Sequence, residues 1–189
     1  MKKILAIGLI FLIVFLIYNF NKDKEIYYFN IMDKENNYPN LIKKEIPKLE
    51  KYINYQKTDL RVTDLIRDIN DNIVINNKNI QNILIKADLI TLSIGNNEIE
   101  YKIKNTKVTD LYNYVDEVAS DIEELLKLIR IYSKEKIYLI GINIDNEYYK
   151  ELIDYLNIKL EDICDSYNVE FIKNDVNIVK KVLKTYCKC

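Results

Sequence analysis

The chain has 189 residues, of which 49% are hydrophobic and 30% are charged, enough for one ordinary globular domain and a terminal segment. Its 28 basic residues face 29 acidic ones and the signs alternate along the chain, so we expect no nucleic-acid partner. The sequence has no histidine and only three glycines. This excludes Ser-His, Cys-His and His-metal mechanisms as well as glycine-rich phosphate loops, and we expect no cofactor.

The N-terminal residues have the pattern of a membrane anchor. Lys2 and Lys3 precede an uncharged, mostly apolar run from Ile4 to Phe20, which spans about 25 Å as a helix. A cleaved signal peptide is the alternative, but the run exceeds the usual apolar length and no small-x-small pattern follows it. We therefore assign residues 1–21 to an uncleaved anchor and residues 22–189 to the body. The two lysines favour a cytoplasmic N-terminus, which predicts a single-pass cell-membrane protein with an extracytoplasmic body.

The body begins with an alternation of short apolar runs and amphipathic stretches. Ile26–Met32 is predicted to be a strand, and helical spacing predicts a helix from Tyr38 to Tyr52 that Pro47 kinks. A weak strand follows at Ile53–Gln56, and Thr63 is expected to cap a short helix.

The middle of the chain contains its most distinctive stretch. A polar excursion at residues 73–80 and a helical turn at 81–86 precede a predicted buried strand, Leu89–Ile94. The strand stops at Gly-Asn-Asn-Glu, residues 95–98. Gly and Asn tolerate a positive φ, so a turn is one interpretation. A ligand site is the other, because ligands of open α/β sheets bind beyond the carboxyl ends of strands.

The remaining elements complete an alternating pattern. A long helix begins at Thr109 or Asp110, and its apolar residues recur every three or four positions: Leu111, Val115, Val118, Ile122, Leu125 and Ile129. After it come a strand at Lys136–Gly141, a helix at Asn146–Tyr167, a strand at Val169–Ile172 and a helix at Val176–Tyr186. Strands that alternate with helices predict an α/β fold, here a three-layer α/β/α sandwich with a five-stranded parallel sheet.

The three cysteines, Cys164, Cys187 and Cys189, do not predict a metal site, because a Cys-only zinc site needs four ligands. Cys164 falls on the apolar face of a predicted helix with Leu152, Leu156 and Leu160, which indicates a small buried hydrophobe. The terminal Cys-Lys-Cys can pair or react, and its role stays open.

The stretch LIKADLITLSIGNNEI, residues 84–99, resembles the third sequence block of the SGNH (GDSL) hydrolase family, in which a strand ends in Gly-x-Asn-Asp. The match here is Gly95-Asn96-Asn97-Glu98. Residues 108–142 are similar to the following helix and strand in bacterial members, and RVTDLIRDI at 61–69 is similar to the segment after the second block. The resemblance extends over roughly residues 26–172.

That resemblance implies a flavodoxin-like sandwich that hydrolyses acyl or acetyl esters with a serine nucleophile, a histidine base and an oxyanion hole completed by a glycine and an asparagine. This chain departs from the pattern at each block except the third. Met32 stands at the nucleophile position and cannot attack an ester. Asp59 is the expected occupant of the second-block glycine position, and Asp175 offers an acid without a base partner. Gly95 and Asn97 remain as a vestigial oxyanion-type loop.

Several further side chains have both a structural and a functional interpretation. The Asn97 amide can face an oxyanion or tie the turn to neighbouring backbone. Ser93 lies inside an apolar strand, and burial is favoured over a nucleophilic role. A set of acids can converge at the strand ends to bind a cation or act as a base, or can simply be solvated: Asp33, Glu35, Asp59, Glu98 and Asp175. Among the 16 tyrosines, Tyr101 and Tyr148 are candidates to line a pocket.

The sequence thus favours a membrane-anchored, extracytoplasmic SGNH-like domain that has lost catalysis and binds or supports something in the cell envelope. An active esterase or deacetylase with substituted machinery, such as a carboxylate-activated water, is the first alternative. A spacer or assembly protein of the envelope is the second.

Overall fold

The computed structural model describes residues 25–105, 107, 110–174 and 177–186. In chain order its strands are β1 (Ile26–Met32), β2 (Leu49–Gln56), β3 (Val74–Ile75), β4 (Lys78–Asn79), β5 (Leu89–Ser93), β6 (Lys136–Ile140) and β7 (Glu170–Ile172). Five of them form a parallel sheet in the order β2-β1-β5-β6-β7, and β3 and β4 form a separate antiparallel hairpin. The predicted five-stranded parallel sheet is confirmed, and its strand order is that of flavodoxin-like folds.

Seven helices lie in the described ranges: α1 (Tyr38–Glu45), α2 (Val62–Asn70), α3 (Ile80–Lys86), α4 (Asn96–Asn105), α5 (Leu111–Tyr132), α6 (Lys150–Ser166) and α7 (Ile178–Leu183). A short 3₁₀ turn at Glu147–Tyr149 leads into α6. Helices α1 and α7 cover one face of the sheet, and the other five cover the opposite face. The three-layer sandwich is therefore confirmed. Within the described ranges, no helix has the length and apolar character needed to cross a bilayer.

The core lies on both sides of the sheet, with the larger part under α2–α6. Every residue of β1 is buried, and its side chains alternate between the two layers. Tyr27, Phe29 and Ile31 face the larger layer, whereas Tyr28 faces α1 and α7. A central parallel strand that is covered on both faces needs such a continuous apolar sequence.

The two long helices bury the faces that their periodicity predicts. The six apolar residues of α5 named above are all buried, and Ile122 has no exposed surface. In α6 the predicted stripe that ends at Cys164 is buried as well. Burial raises the pKa of the Cys164 thiol to about 12, so this cysteine acts as a hydrophobe, as predicted.

The predicted helix over residues 38–52 is wrong in its second half. Helix α1 ends at Glu45, and β2 begins at Leu49. Pro47 disfavours a helical conformation at the preceding residue, and Ile46 accordingly has the extended ψ of 120°. The proline therefore separates a helix from a strand instead of kinking one helix, and β2 is longer than the predicted Ile53–Gln56.

The predicted cap at Thr63 is also wrong. Helix α2 begins one residue earlier, at Val62, and Arg61 in the cap position provides no side-chain hydrogen bond. The backbone N–H of Val62 donates instead to the carboxylate of Glu98. A side chain from another helix thus supplies the cap, and no local sequence pattern can indicate such a contact.

The polar excursion at residues 73–80 forms the β3-β4 hairpin. Asn76 and Asn77 make its two-residue turn, with left-handed φ angles of 48° and 61°. Two consecutive positive φ angles are typical of a type I′ turn, and asparagine is one of the few residues that accept them.

Several predictions fall outside the described residues. These are the anchor at residues 1–21, the helix start at Thr109, the acid at Asp175 and the terminal cysteines Cys187 and Cys189.

Candidate functional site

The carboxyl ends of β1 and β5 meet at the centre of the sheet, where the strand order reverses. In open α/β sheets this switch point is where ligands bind. Asp33 directly follows β1, and residues 95–98 follow β5 after a single residue, Ile94. The backbone N–H of Asp33 donates to the carbonyl of Ser93 over 2.9 Å, which holds the two strand ends together.

Gly95 is the residue that turns the chain away from β5. Its φ is +104°, a conformation that residues with a side chain rarely adopt. A Cβ at this position would also lie 3.0 Å from Cδ1 of Ile142 and 3.1 Å from Cδ1 of Ile122. The glycine allows α4 to begin at the next residue. The polar residues after it are therefore the first turn of a helix, rather than the tip of a hairpin.

Asp33 provides a buried carboxylate at the N-terminus of α4. Its side chain is only 5% exposed. Oδ1 accepts a hydrogen bond from Nδ2 of Asn96, and Oδ2 accepts one from the backbone N–H of Asn97, both over 3.1 Å. Unpaired N–H groups and the helix dipole favour an anion at this position. Burial nevertheless raises the pKa of Asp33, against the opposing effect of these hydrogen bonds.

Asn96 connects three strand ends. Its Nδ2 donates to Asp33 after β1, and its Oδ1 accepts a hydrogen bond from the backbone N–H of Asn143, after β6, over 3.2 Å. Asn96 is not among the site residues that the sequence predicts. The only available signal was the presence of two consecutive amides after the glycine.

Asn97 uses its side-chain amide nitrogen within the protein. Nδ2 donates to the carbonyl of Asp33 over 3.2 Å and to the carbonyl of Leu60 over 3.1 Å. An amide nitrogen has two hydrogens, so neither remains for an oxyanion in this arrangement. The side chain ties the end of β1 to the loop that precedes α2.

Glu98 lies one residue further into the first turn of α4 and is 6% exposed. One carboxylate oxygen accepts the hydrogen bond from Val62, whereas Oε2 is buried without a hydrogen-bond partner in the described part of the chain. Burial raises the pKa of Glu98 to about 7; nearby Asp33 also raises it, and Arg61 lowers it. Glu98 is thus the group of this site whose charge changes near neutral pH.

The described residues at the expected catalytic positions do not form a cluster of reactive groups. Met32 ends β1 with its thioether buried, and Ser93 lies buried beside it in the sheet register. Asp59 is exposed and has a left-handed φ of 56°, a conformation that glycine adopts freely and aspartate tolerates. Asp175 lies outside the described residues.

The acids proposed for a rim at the strand ends differ in burial. Asp33 and Glu98 are buried in the network above, whereas Glu35 and Asp59 are exposed. Within the described ranges, no group of three or more acidic or cysteine side chains is arranged to hold a metal ion.

An open cleft of about 550 Å³ lies beside this network, beyond the carboxyl ends of β6 and β7. The apolar residues that line it are isoleucines: Ile142, Ile144, Ile153 and Ile158. The polar residues that line it include Asn143, Asp154 and Lys173. The volume is within the range of small-molecule sites. Asn143 lines the cleft and donates its backbone N–H to Oδ1 of Asn96, so the two features are adjacent.

The two tyrosines proposed as pocket residues lie elsewhere on the surface. Tyr101 is 49% exposed, and the guanidinium carbon of Arg61 lies over its ring, 4.8 Å from the ring centre. Tyr148 is 70% exposed and contacts Tyr149 edge to face. Neither forms part of the cleft wall.

Comparisons with known proteins find solved structures of similar fold but with little sequence similarity. No family model matches the chain, and no curated protein matches it. The crystal structure of the lipase Lip_vut3 from a goat rumen metagenome aligns with a TM-score of 0.62 at 15% identity, over 78% of this chain and 80% of that one. The acetylxylan esterase Axe2 from Geobacillus stearothermophilus aligns with a TM-score of 0.58 at 15% identity, over 86% and 81% of the two chains.

A third structure, that of TesA, has a TM-score of 0.56 at 9% identity and covers 77% of this chain and 76% of its own. Catalytic mutants of Axe2 in which a serine, an aspartate or a histidine is replaced by alanine also match this chain. At such low identity the similarity concerns the fold alone. The chain has the fold of the SGNH-type lipases and esterases.

Proposed function

We propose that this protein is a membrane-anchored, extracytoplasmic SGNH-like domain that does not hydrolyse esters and binds a ligand or partner at the cell envelope. The observation that carries the proposal is the engagement of the Asn97 amide with two backbone carbonyls. Where the resemblance implies an oxyanion donor, this chain has a structural tie.

The absence of a nucleophile and of a base supports the same conclusion. Met32 stands at the nucleophile position, and the sequence has no histidine to act as base. In triad enzymes, losing one member can cost about as much as losing all three, with a residual acceleration of roughly 10³ to 10⁴ from the oxyanion hole and binding. Because Asn97 is occupied as well, even that residual acceleration should be small.

A binding role is supported by the cleft beyond β6 and β7. It stays open, whereas the switch point beside it is filled by Asp33, Asn96 and Asn97. Both polar side chains and isoleucines line it, as in sites that orient a small ligand. The envelope location rests on the apolar run at residues 4–20.

The test is to incubate the full-length protein, purified in a mild detergent, with a fluorophosphonate probe and separately with a series of nitrophenyl esters. We expect no labelling and no turnover above buffer. Stoichiometric labelling, or turnover that disappears in Asn97→Ala, would contradict the proposal and favour an active esterase.

A carboxylate-activated water is the second candidate, and one observation favours it: the pKa of Glu98 is about 7, which suits a general base. The burial of Glu98 argues against access for water and substrate. If this candidate is correct, ester turnover occurs without probe labelling, rises with pH through 7 and is lost in Glu98→Gln.

A further inference from the structure

Two lysine side chains meet at one buried tyrosine near the amino end of β1. In the register of β1 with β2, Tyr27 lies beside Lys51, and β4 brings Lys78 to the same ring. Nζ of Lys51 and Nζ of Lys78 are each 5.6 Å from the ring centre of Tyr27. One cation over an aromatic ring is favourable, but two cations at the same ring repel each other. This position therefore favours the entry of a negative charge.

The charged groups around Lys51 are mostly cationic. A hydrogen bond with the Lys78 amine is the largest cause that lowers the pKa of Lys51, and desolvation and the charges of Lys78 and Lys86 lower it further. Glu50, next to Lys51 in β2, opposes this effect. The carboxylate of Asp88 is also close, but it accepts the backbone N–H of Tyr27 over 2.9 Å, whereas the lysines lie over the ring. Within the described part of the chain, no salt bridge joins Lys51 or Lys78 to a carboxylate.

The hydroxyl of Tyr27 is an independent indication that an acceptor is missing here. The residue is 6% exposed, and its hydroxyl is buried without a hydrogen-bond partner among the described residues. Burial and the Glu50 carboxylate raise the pKa of Tyr27, so the hydroxyl keeps its proton and is a donor. A buried donor without an acceptor is unfavourable. An anion at this ring provides an acceptor for the hydroxyl and a counter-charge for both ammonium groups.

We propose that Tyr27, Lys51 and Lys78 form a binding site for a phosphate group, with the two ammonium groups as its charge partners and the tyrosine hydroxyl as a neutral donor. A phosphate group has several acceptor oxygens, so it can accept a hydrogen bond from each of the three side chains. Lysine binds phosphate as a point charge on a flexible stem. Because both lysine side chains are half-buried and flexible, they can move apart to admit the anion.

Two sources of the phosphate group fit this chemistry, a free phosphate and the headgroup of an anionic lipid. Tyr27 follows Phe20 by only seven residues, and the lipid source rests on the anchor that we propose for residues 1–21. The site itself depends neither on that anchor nor on the absence of ester hydrolysis. It lies near the amino end of β1, whereas the cleft lies beyond the carboxyl ends of β6 and β7.

The experiment follows thermal unfolding of the full-length protein in a non-ionic detergent at neutral pH, with sodium phosphate titrated against sodium chloride at equal ionic strength. We expect phosphate to raise the Tm of wild type in a saturable manner. Lys51→Gln and Lys78→Gln should each bind phosphate about tenfold more weakly, because each loses one charge-assisted hydrogen bond. Lys43→Gln is the matched control, since Nζ of Lys43 lies 5.1 Å from the ring centre of Tyr52, and it should respond as wild type does.

Tyr27→Phe tests the hydroxyl separately from the ring. The variant keeps the aromatic face under the lysines and removes the unpaired donor. Its Tm in chloride should therefore equal or exceed that of wild type, while its affinity for phosphate falls several-fold. A lower Tm in chloride together with an unchanged affinity for phosphate would overturn the proposed role of the hydroxyl and with it the three-residue site.

A parallel titration with dihexanoyl phosphatidate, a short-chain lipid that stays in solution, distinguishes the two sources. Tighter binding of phosphatidate than of inorganic phosphate, lost in Lys51→Gln, supports the site with a lipid headgroup as its ligand. Equal or weaker binding of phosphatidate supports the site with a free phosphate. If wild type has no saturable response to either ligand, or if both lysine variants respond as wild type does, the effect is at most general stabilisation by the salt and the proposal is overturned.

Discussion

Glu98 combines two roles that conflict as pH changes. Its carboxylate caps α2 through the N–H of Val62, a contact that favours the ionised form. Its burial and the nearby Asp33 carboxylate favour the neutral form, and their combined effect is larger, because the pKa is raised to about 7. The folded protein therefore binds this proton more tightly than the unfolded chain does.

This difference predicts a pH-dependent stability. A group whose pKa is raised on folding contributes stability that is complete below its unfolded pKa and is lost as pH rises through its folded pKa. For Glu98 the loss extends from about pH 4.5 to about pH 7. The side chain of the Glu98→Gln variant cannot ionise, so its stability does not change in this way. The free energy of unfolding of the variant minus that of wild type should therefore increase by roughly 2 to 3 kcal/mol from pH 5 to pH 8. Urea unfolding at both pH values checks this, and an unchanged difference would contradict the raised pKa.

The residues of the site differ in how far sequence can identify them. Gly95 and Asn97 stand in a recognisable pattern, and their place after a buried strand follows from the apolar run before them. The partners of Asn97 do not, because Leu60 and Asp33 come from other parts of the chain and accept through backbone carbonyls, which any residue provides. The same applies to Glu98 as the cap of α2.

At the level of elements, α5 is the part of the fold that sequence specifies best. It has 22 residues and a continuous apolar stripe, so its period is unambiguous. Its buried face packs against α2, α3, α4 and α6. Ile122 lies in the middle of that face with no exposed surface, and its Cδ1 also fixes the space available at Gly95.

Ile122→Asp should therefore unfold the domain. A charge without a partner in this core costs several kcal/mol, against a total stability of roughly 5 to 15 kcal/mol. Ile131→Asp is the matched control, since Ile131 belongs to the same helix but is 71% exposed. Circular dichroism should find native signal and nearly wild-type Tm for Ile131→Asp only. Equal melting of both variants would mean that the face of α5 is assigned incorrectly.

Short elements were harder to predict than long ones for a physical reason. Residues 38–52 carry apolar residues at helical spacing, but Pro47 and the pairing of β2 with β1 decide whether the helix continues beyond Glu45. The β3-β4 hairpin has only two residues in each strand, too few for an alternating pattern, and its identity depends on the φ angles of Asn76 and Asn77. In both segments the local sequence pattern does not decide between helix, strand and turn, and strand pairing and turn geometry do.

At the scale of the whole molecule, the same sandwich is retained at 15% identity to Lip_vut3 and 9% to TesA. What such a sandwich requires is apolar strands, amphipathic helices and a glycine where β5 meets α4. The identity of the polar residues at the strand ends is not constrained by these requirements. The fold is therefore compatible with Met32 at the end of β1 and a buried Asp33 next to it.

A short connection joins this fold to the predicted anchor. β1 begins at Ile26, and only five residues separate it from Phe20, a distance of at most about 18 Å when fully extended. If residues 4–20 span the membrane, the start of β1 lies within that distance of it.

The last prediction concerns the predicted anchor. Because the run from Ile4 to Phe20 lacks a cleavage pattern, the mature protein should keep Met1 and remain in the membrane pellet after carbonate washing. Leu12 is at the centre of the run, where an arginine costs about 2.5 to 3.5 kcal/mol on insertion, so Leu12→Arg should shift much of the protein to the soluble fraction. Lys22→Arg, outside the run, is the control and should stay in the pellet. N-terminal sequencing completes the measurement: a soluble wild-type form that begins near Asn21 would mean that the segment is a cleaved signal peptide.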